Sequence, residues 1–122
     1  MKKLRVPLSL QKKENPYCGP HSLKMILSYY KKPSAVARLV KECKTKKTGT
    51  KTKNLIKCGE NNGLYFLPIP LDNKKDFIEI VETSIQKKWP IVISLDNGSG
   101  FHACVLRGYC NKFFYFSDPV FG

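Results

Sequence analysis

The apolar residues of this chain change their period once, and that change confines the fold. Up to residue 85 they recur at helical spacing: Leu23, Ile26, Leu27 and Tyr30 follow i, i+3, i+4, i+7, and Phe77, Ile80, Val81 and Ile85 form a similar face. From residue 90 onward they form continuous β-branched and aromatic runs, at 90–95, 101–109 and 112–117. Helices first and antiparallel strands afterwards describe an α+β chain with a helical N-terminal half and a C-terminal sheet.

Local signals divide the helical half further. Gly19-Pro20 marks the start of the first helix, where proline's missing N–H costs nothing, and Pro33 stops it. Ser34 is placed to cap a short second helix with the face Val36, Leu39, Val40 and Cys43. Thr50 or Thr52 is placed to cap a third, running through Leu55, Ile56 and Cys58 and ending at Asn61-Asn62-Gly63. Residues 64–69 read as a short strand, and Asp72 as the cap of the fourth helix. Asp96 to Gly100 is a turn, and Cys110-Asn111 joins the last two strands into a hairpin.

The 122 residues suit a single domain, 1–122, at the usual size of roughly 100–150 residues. With 42% hydrophobic residues, the chain is not compositionally disordered. The net charge of +13 points either to acidic partners, an acidic peptide, nucleic acid or an anionic membrane, or equally to a plain solvated lysine-rich surface. The densest lysine stretch, 41–57, interleaves lysine with threonine and carries no aromatic residue. It lacks the stacking platforms of a single-strand binder, so nucleic acid stands behind peptide. No stretch approaches the ~18 apolar residues of a membrane span. With no secretory leader in view either, the expectation is a reduced, cytoplasmic protein. The five cysteines form no Cys-x-x-Cys knuckle, so neither a metal nor a cofactor is expected.

Cys18 stands immediately before the first helix, where free N–H groups and the helix dipole favour a thiolate. Gly19 leaves room beside the sulfur for a substrate backbone. His102 follows a Gly-Ser-Gly loop at the start of a strand, a rigid yet exposed place for a general base. Asp118 lies in Ser117-Asp118-Pro119, just past the next strand. His102 and Asp118 each lie about eight residues from the Cys110-Asn111 turn, so a regular hairpin sets them close to opposite each other. A carboxylate there orients an imidazole; the plainer reading is an Asp-Pro turn. Gln11 offers an amide N–H₂ that could assist the Cys18 N–H at an oxyanion. His21, on the first turn of the same helix as Cys18, reads as a helix-start residue that tunes the thiolate electrostatically.

Taken in order, these segments resemble the bacteriocin-processing peptidases, the double-glycine leader cysteine peptidases of the papain-like group. The resemblance runs from Gln11 and residues 17–30 through Gly49-Thr50, Leu55, Gly63-Leu64 and Pro90-Ile91-Val92 to His102, Val105, Gly108-Tyr109, Asp118-Pro119 and Gly122. It implies a papain-like fold, with Cys18 as nucleophile, His102 as base, Asp118 as orienting acid and Gln11 as oxyanion donor. It also implies a peptide substrate cut after Gly-Gly. Gln11 stands seven positions before Cys18, one more than is usual in that family. The same set of groups serves isopeptidases, amidases and transpeptidases. A non-catalytic basic module for peptide or nucleic acid is the rival outside enzymes.

Overall fold

The computed structural model describes residues 2–12, 15–69, 73–96, 100–110 and 113–122. Its elements run β1 (Lys2–Lys3), α1 (Cys18–Tyr29), α2 (Val36–Glu42), α3 (Thr52–Asn61), α4 (Lys74–Gln86), β2 (Ile91–Asp96), β3 (Phe101–Cys110) and β4 (Phe113–Ser117). The α+β order expected from the sequence is the one observed.

Strand β3 organises the sheet. It pairs antiparallel with β2 from Ile91↔Leu106 to Asp96↔Phe101, with β1 at Lys2↔Tyr109 and Lys3↔Gly108, and with β4 from Val105↔Ser117 to Cys110↔Phe113. One irregularity interrupts the hairpin. Between Leu106 and Gly108 β3 advances two residues while β4 advances one, so Arg107 is the extra residue of a bulge. A bulge reverses the alternation of side chains, and Leu106 and Tyr109 accordingly share one face.

The two faces of the sheet bury different helices. Ala103 and Val105 point to α1, where they pack with Leu23, Leu27, Met25 and Ile26. The α2 and α3 residues Leu39, Cys43, Leu55 and Cys58 close that side. Leu106 points the other way, onto Val81 and Ile85 of α4, and Phe114 meets Phe77 at 5.5 Å between ring centroids. Leu23, Leu39 and Leu106 are fully excluded from solvent, each such burial being worth about 2 kcal/mol.

Several helix caps differ from expectation. The side chain of Asn73 caps α4 by accepting from the N–H groups of Lys75 and Asp76; Asp72 lies outside the described residues. Helices α2 and α3 have Ala35 and Lys51 at their N-cap positions and no side-chain cap. Ser34 instead accepts from the Arg38 guanidinium, and Thr50 bonds Thr45 through the two hydroxyls at 2.7 Å. Gly63 does take the left-handed conformation after α3, at φ 86°. Residues 64–69 are not a strand. Phe66 packs against Gly59 of α3 so closely that a Cβ there would lie 2.0 Å from its ring. Strand β1 has no signal in the Lys2-Lys3 dipeptide; it is set by pairing with β3.

Candidate active site

The tip of α1 and the start of β3 meet at a sheet edge. Pairing with β4 begins only at Val105, so the edge of β3 next to residues 101–104 is not covered by β4. The Lys46–Gly49 turn reaches it from outside. Phe101 donates its N–H to Thr48 O at 2.7 Å, and the turn closes with reciprocal bonds between Lys46 and Gly49. Two glycines permit this approach. A Cβ on Gly100 would stand 2.6 Å from Thr48 O, and one on Gly49, at φ 105°, 2.8 Å from Phe101 O.

Cys18 is the first residue of α1, and its sulfur enters this edge. Sγ donates to Phe101 O at 3.5 Å and lies where the N–H groups of Ala103, Gly19 and Cys18 itself favour the thiolate. The sulfur therefore contacts backbone on both sides of His102. Its environment differs from the sequence expectation in two ways. Cys18 is only 5% exposed and packs within the Leu23–Leu55–Ala103 cluster rather than standing open in a cleft. Burial outweighs the helix-tip N–H groups, so its pKa is raised, with Asp118 adding to the rise.

Gly19 also serves a different purpose from the one expected. A Cβ there would meet Thr50 Oγ1 at 2.9 Å and Thr50 Cβ at 3.0 Å. The missing side chain admits the threonine that precedes α3, and so seats the helix tip.

His102 and Asp118 come together as the sequence suggested, by a different register. Nε2 of His102 lies 2.8 Å from Oδ2 of Asp118, with the two side chains 32% and 17% exposed. Extending the Val105↔Ser117 register sets Asp118 opposite Cys104, not His102. The contact is thus a diagonal one between residues on one face, within reach of these side chains. The turn reading of Asp118 holds as well. Its Oδ1 accepts from Val120 N–H at 2.8 Å and its carbonyl from Gly122 N–H at 2.8 Å. One oxygen shapes the turn while the other holds the imidazole.

Cys104 is a neighbour that the sequence reading passed over. A ring nitrogen of His102, the Cys104 sulfur and an Asp118 oxygen all lie within 4.8 Å of one another. Its spacing, two residues after His102 on a strand, was the available signal. Cys104 is buried and its thiol is pushed up to about 11, by desolvation first and then by Asp118 and Cys18.

Gln11 stands beside this group through its backbone, which donates to Pro119 O at 2.8 Å. Its Nε2 donates to Asn15 O at 2.6 Å. His21 is not an electrostatic partner of the sulfur. Its Nδ1 bonds the Ser9 hydroxyl at 2.7 Å, and burial and Lys24 lower its pKa, so the ring is neutral at pH 7. The lysine stretch beside the site lines a cavity of about 230 Å³ with Lys44, Lys46, Lys51 and Lys53.

A profile of the Peptidase_C39-like family matches residues 3–122, nearly the whole chain. The chain belongs to the Peptidase_C39-like family. It is therefore a peptidase, a hydrolase of the cysteine class. Among solved structures, the chain is similar to a double glycine motif protease from an AMS/PCAT transporter, solved in complex with the leader peptide. Identity is 28% over 99% of this chain and 79% of that one, with a TM-score of 0.75. It is also similar in fold to the peptidase domain of Streptococcus ComA, a bi-functional ABC transporter involved in quorum sensing. There the identity is 20%, over 95% of this chain and 80% of that one, with a TM-score of 0.77. Comparison with curated protein sequences finds no significant match. Among the described residues of this C39-like chain, no helix is long and apolar enough to cross a membrane.

Proposed function

We infer that residues 1–122 act as one papain-like peptidase domain that cuts a peptide after a Gly-Gly pair through a Cys18–His102–Asp118 triad. The observation that carries this reading is the contact of the Cys18 sulfur with the backbone of Phe101 and Ala103, the chain neighbours of His102, whose imidazole is held by Asp118. The bond from Nε2 to Asp118 leaves Nδ1 as the basic nitrogen.

The steps follow from those positions. Nδ1 of His102 takes the Cys18 thiol proton as the sulfur attacks the scissile carbonyl carbon. The negative charge that forms on the carbonyl oxygen is met by the Cys18 N–H at the helix tip and by an N–H of the Gln11 amide. Collapse of this intermediate breaks the C–N bond, and His102 returns the proton to the leaving amine, giving a thioester on Cys18. A water molecule then gives its proton to His102 and attacks the thioester. The acid product leaves and the thiol is restored. Asp118 stabilises the imidazolium in both halves and does not exchange the proton.

The Gly-Gly preference rests on the 28% identical double glycine motif protease. The lysine-lined cavity beside Thr48 suits a substrate with acidic residues, by steering rather than by specific pairing. All five cysteines are free, which suits a reducing compartment and a cytoplasmic site of action. The test is a set of leader-like peptides containing Gly-Gly, incubated with the protein and with Cys18→Ala, products being read by mass spectrometry. The wild type should cleave after the second glycine, and the variant should be inert while still unfolding cooperatively. Cleavage by Cys18→Ala, or wild-type cleavage only at sites lacking Gly-Gly, would refute the respective part of the reading.

A further inference from the structure

We propose that the back of the catalytic pair is a zinc-binding site, formed by His102, Cys104 and Asp118, through which Zn²⁺ switches the peptidase off. The proposal stands on donor chemistry and placement. Imidazole nitrogen, thiolate sulfur and carboxylate oxygen are the three donor types that zinc takes in proteins. Here one of each lies within 4.8 Å of the other two, two from β3 and the third from the residue just past β4. Tetrahedral ligation at about 2.0–2.3 Å per bond brings donor atoms to roughly 3.3–3.8 Å apart, so the cluster needs side-chain adjustment only.

Placement on the strands makes the cluster rigid. His102 and Cys104 are two apart on β3 and share a face, and Asp118 follows β4 at the register position opposite Cys104. His102 and Asp118 keep side-chain exposures of 32% and 17%, which leaves an ion a way in. Charge also balances. A thiolate, a carboxylate and a neutral imidazole offset the two positive charges of the ion, and the Cys104 thiol proton is released to solvent. The absence of a Cys-x-x-Cys knuckle hid this site in the sequence, because two of its donors lie on β3 and the third just past β4.

The catalytic reading gives Cys104 no part in bond cleavage, whereas His102 and Asp118 cannot serve an ion and a substrate together. Zinc on this cluster takes the carboxylate from the imidazole and ties up the ring. Inhibition therefore rests on the proposed triad; binding of the ion does not.

Cobalt(II), added as chloride to the full chain, reports thiolate ligation directly by its sulfur-to-metal absorption. Wild type and Cys18→Ala should both develop the band at one equivalent, and Cys104→Val and Cys104→Ser should not. In peptide cleavage assays Cys104→Val should keep the zinc-free rate and lose at least about tenfold in sensitivity to ZnCl₂. A cobalt band that survives in Cys104→Val and disappears in Cys18→Ala would overturn the proposal, because the ion would then sit on the nucleophile. Unchanged zinc inhibition in both Cys104 variants would overturn it too. If no peptide is cleaved at all, the peptidase reading fails while the cobalt spectra still decide the site.

Discussion

His102 Nε2 stands 2.8 Å from Asp118 Oδ2 although the two residues are not cross-strand partners. The Arg107 bulge shifts the hairpin so that Asp118 projects on the face of His102 and Cys104, two positions along from the imidazole. Asp118→Asn should keep the turn, because an amide oxygen still accepts the Val120 N–H. Its N–H₂, however, donates toward Nε2 and so drives the ring proton to Nδ1, the nitrogen that takes the thiol proton in the proposed mechanism. We expect kcat to fall by about 10²–10⁴ with little change in thermal stability. Asp118→Ala should lose in addition about 1 kcal/mol of stability with the Val120 bond. Peptide cleavage rates and thermal unfolding of both variants check this, and a wild-type rate in Asp118→Asn would reassign the third member of the triad.

The buried Cys18 thiol has a raised pKa, so sulfur alone supplies little thiolate at neutral pH. In the proposed mechanism, transfer of its proton to His102 makes it nucleophilic. Iodoacetamide labelling of Cys18 against pH should therefore show its midpoint at higher pH in His102→Ala than in the wild type. Coincident profiles would mean that the imidazole does not reach the sulfur.

Gly19→Ala separates two uses of the glycine. Thr50 is 3% exposed and fixed by Thr45, so it cannot swing away from a new Cβ placed 2.9 Å from its oxygen. The helix tip must shift instead. Stability should fall by about 1–3 kcal/mol, and kcat/KM by roughly 10²-fold as the sulfur is displaced. Loss of activity at full thermal stability would instead assign Gly19 to substrate clearance alone.

His21 gives the fold an acid-sensitive joint. Its folded pKa lies below the ordinary 6.5, with burial the larger cause and Lys24 the smaller. The unfolded chain therefore binds the proton more readily. Stability from the neutral ring is intact above 6.5 and is lost as pH falls from there toward the folded value. Urea midpoints measured from about pH 7.5 to about pH 5 should decline in the wild type and decline less in His21→Asn. Equal slopes would place the acid sensitivity elsewhere.

What the sequence disclosed follows from what leaves a periodic mark. The face Leu23, Ile26, Leu27 announced α1, and the β-branched run after Pro90 announced β2. Cys18 before Gly-Pro and His102 at a strand start carried their own local signals. Features set by tertiary contact left none. Residues 64–69 alternate like a strand but have no strand partner; Tyr65 and Leu67 are exposed while Phe66 packs on Gly59. The bulge at Arg107, which decides what Asp118 reaches, has only Gly108 beside it as a mark, and that glycine is equally required by the close approach of Lys2 O, 2.4 Å from where its Cβ would stand. The burial of Cys18 arises where α1 meets Ala103 and Leu55, residues far apart in the chain.

The most direct test of the account is the site at which a Gly-Gly chloromethyl ketone peptide alkylates the native protein. Accessibility alone favours Cys110, which is partly exposed, over the four buried cysteines. If Cys18 is a nucleophile served by His102, peptide mapping will find one adduct, on Cys18, formed ahead of any on Cys110 and suppressed in His102→Ala. An adduct that forms first on Cys110, with Cys18 unmodified, would contradict the account.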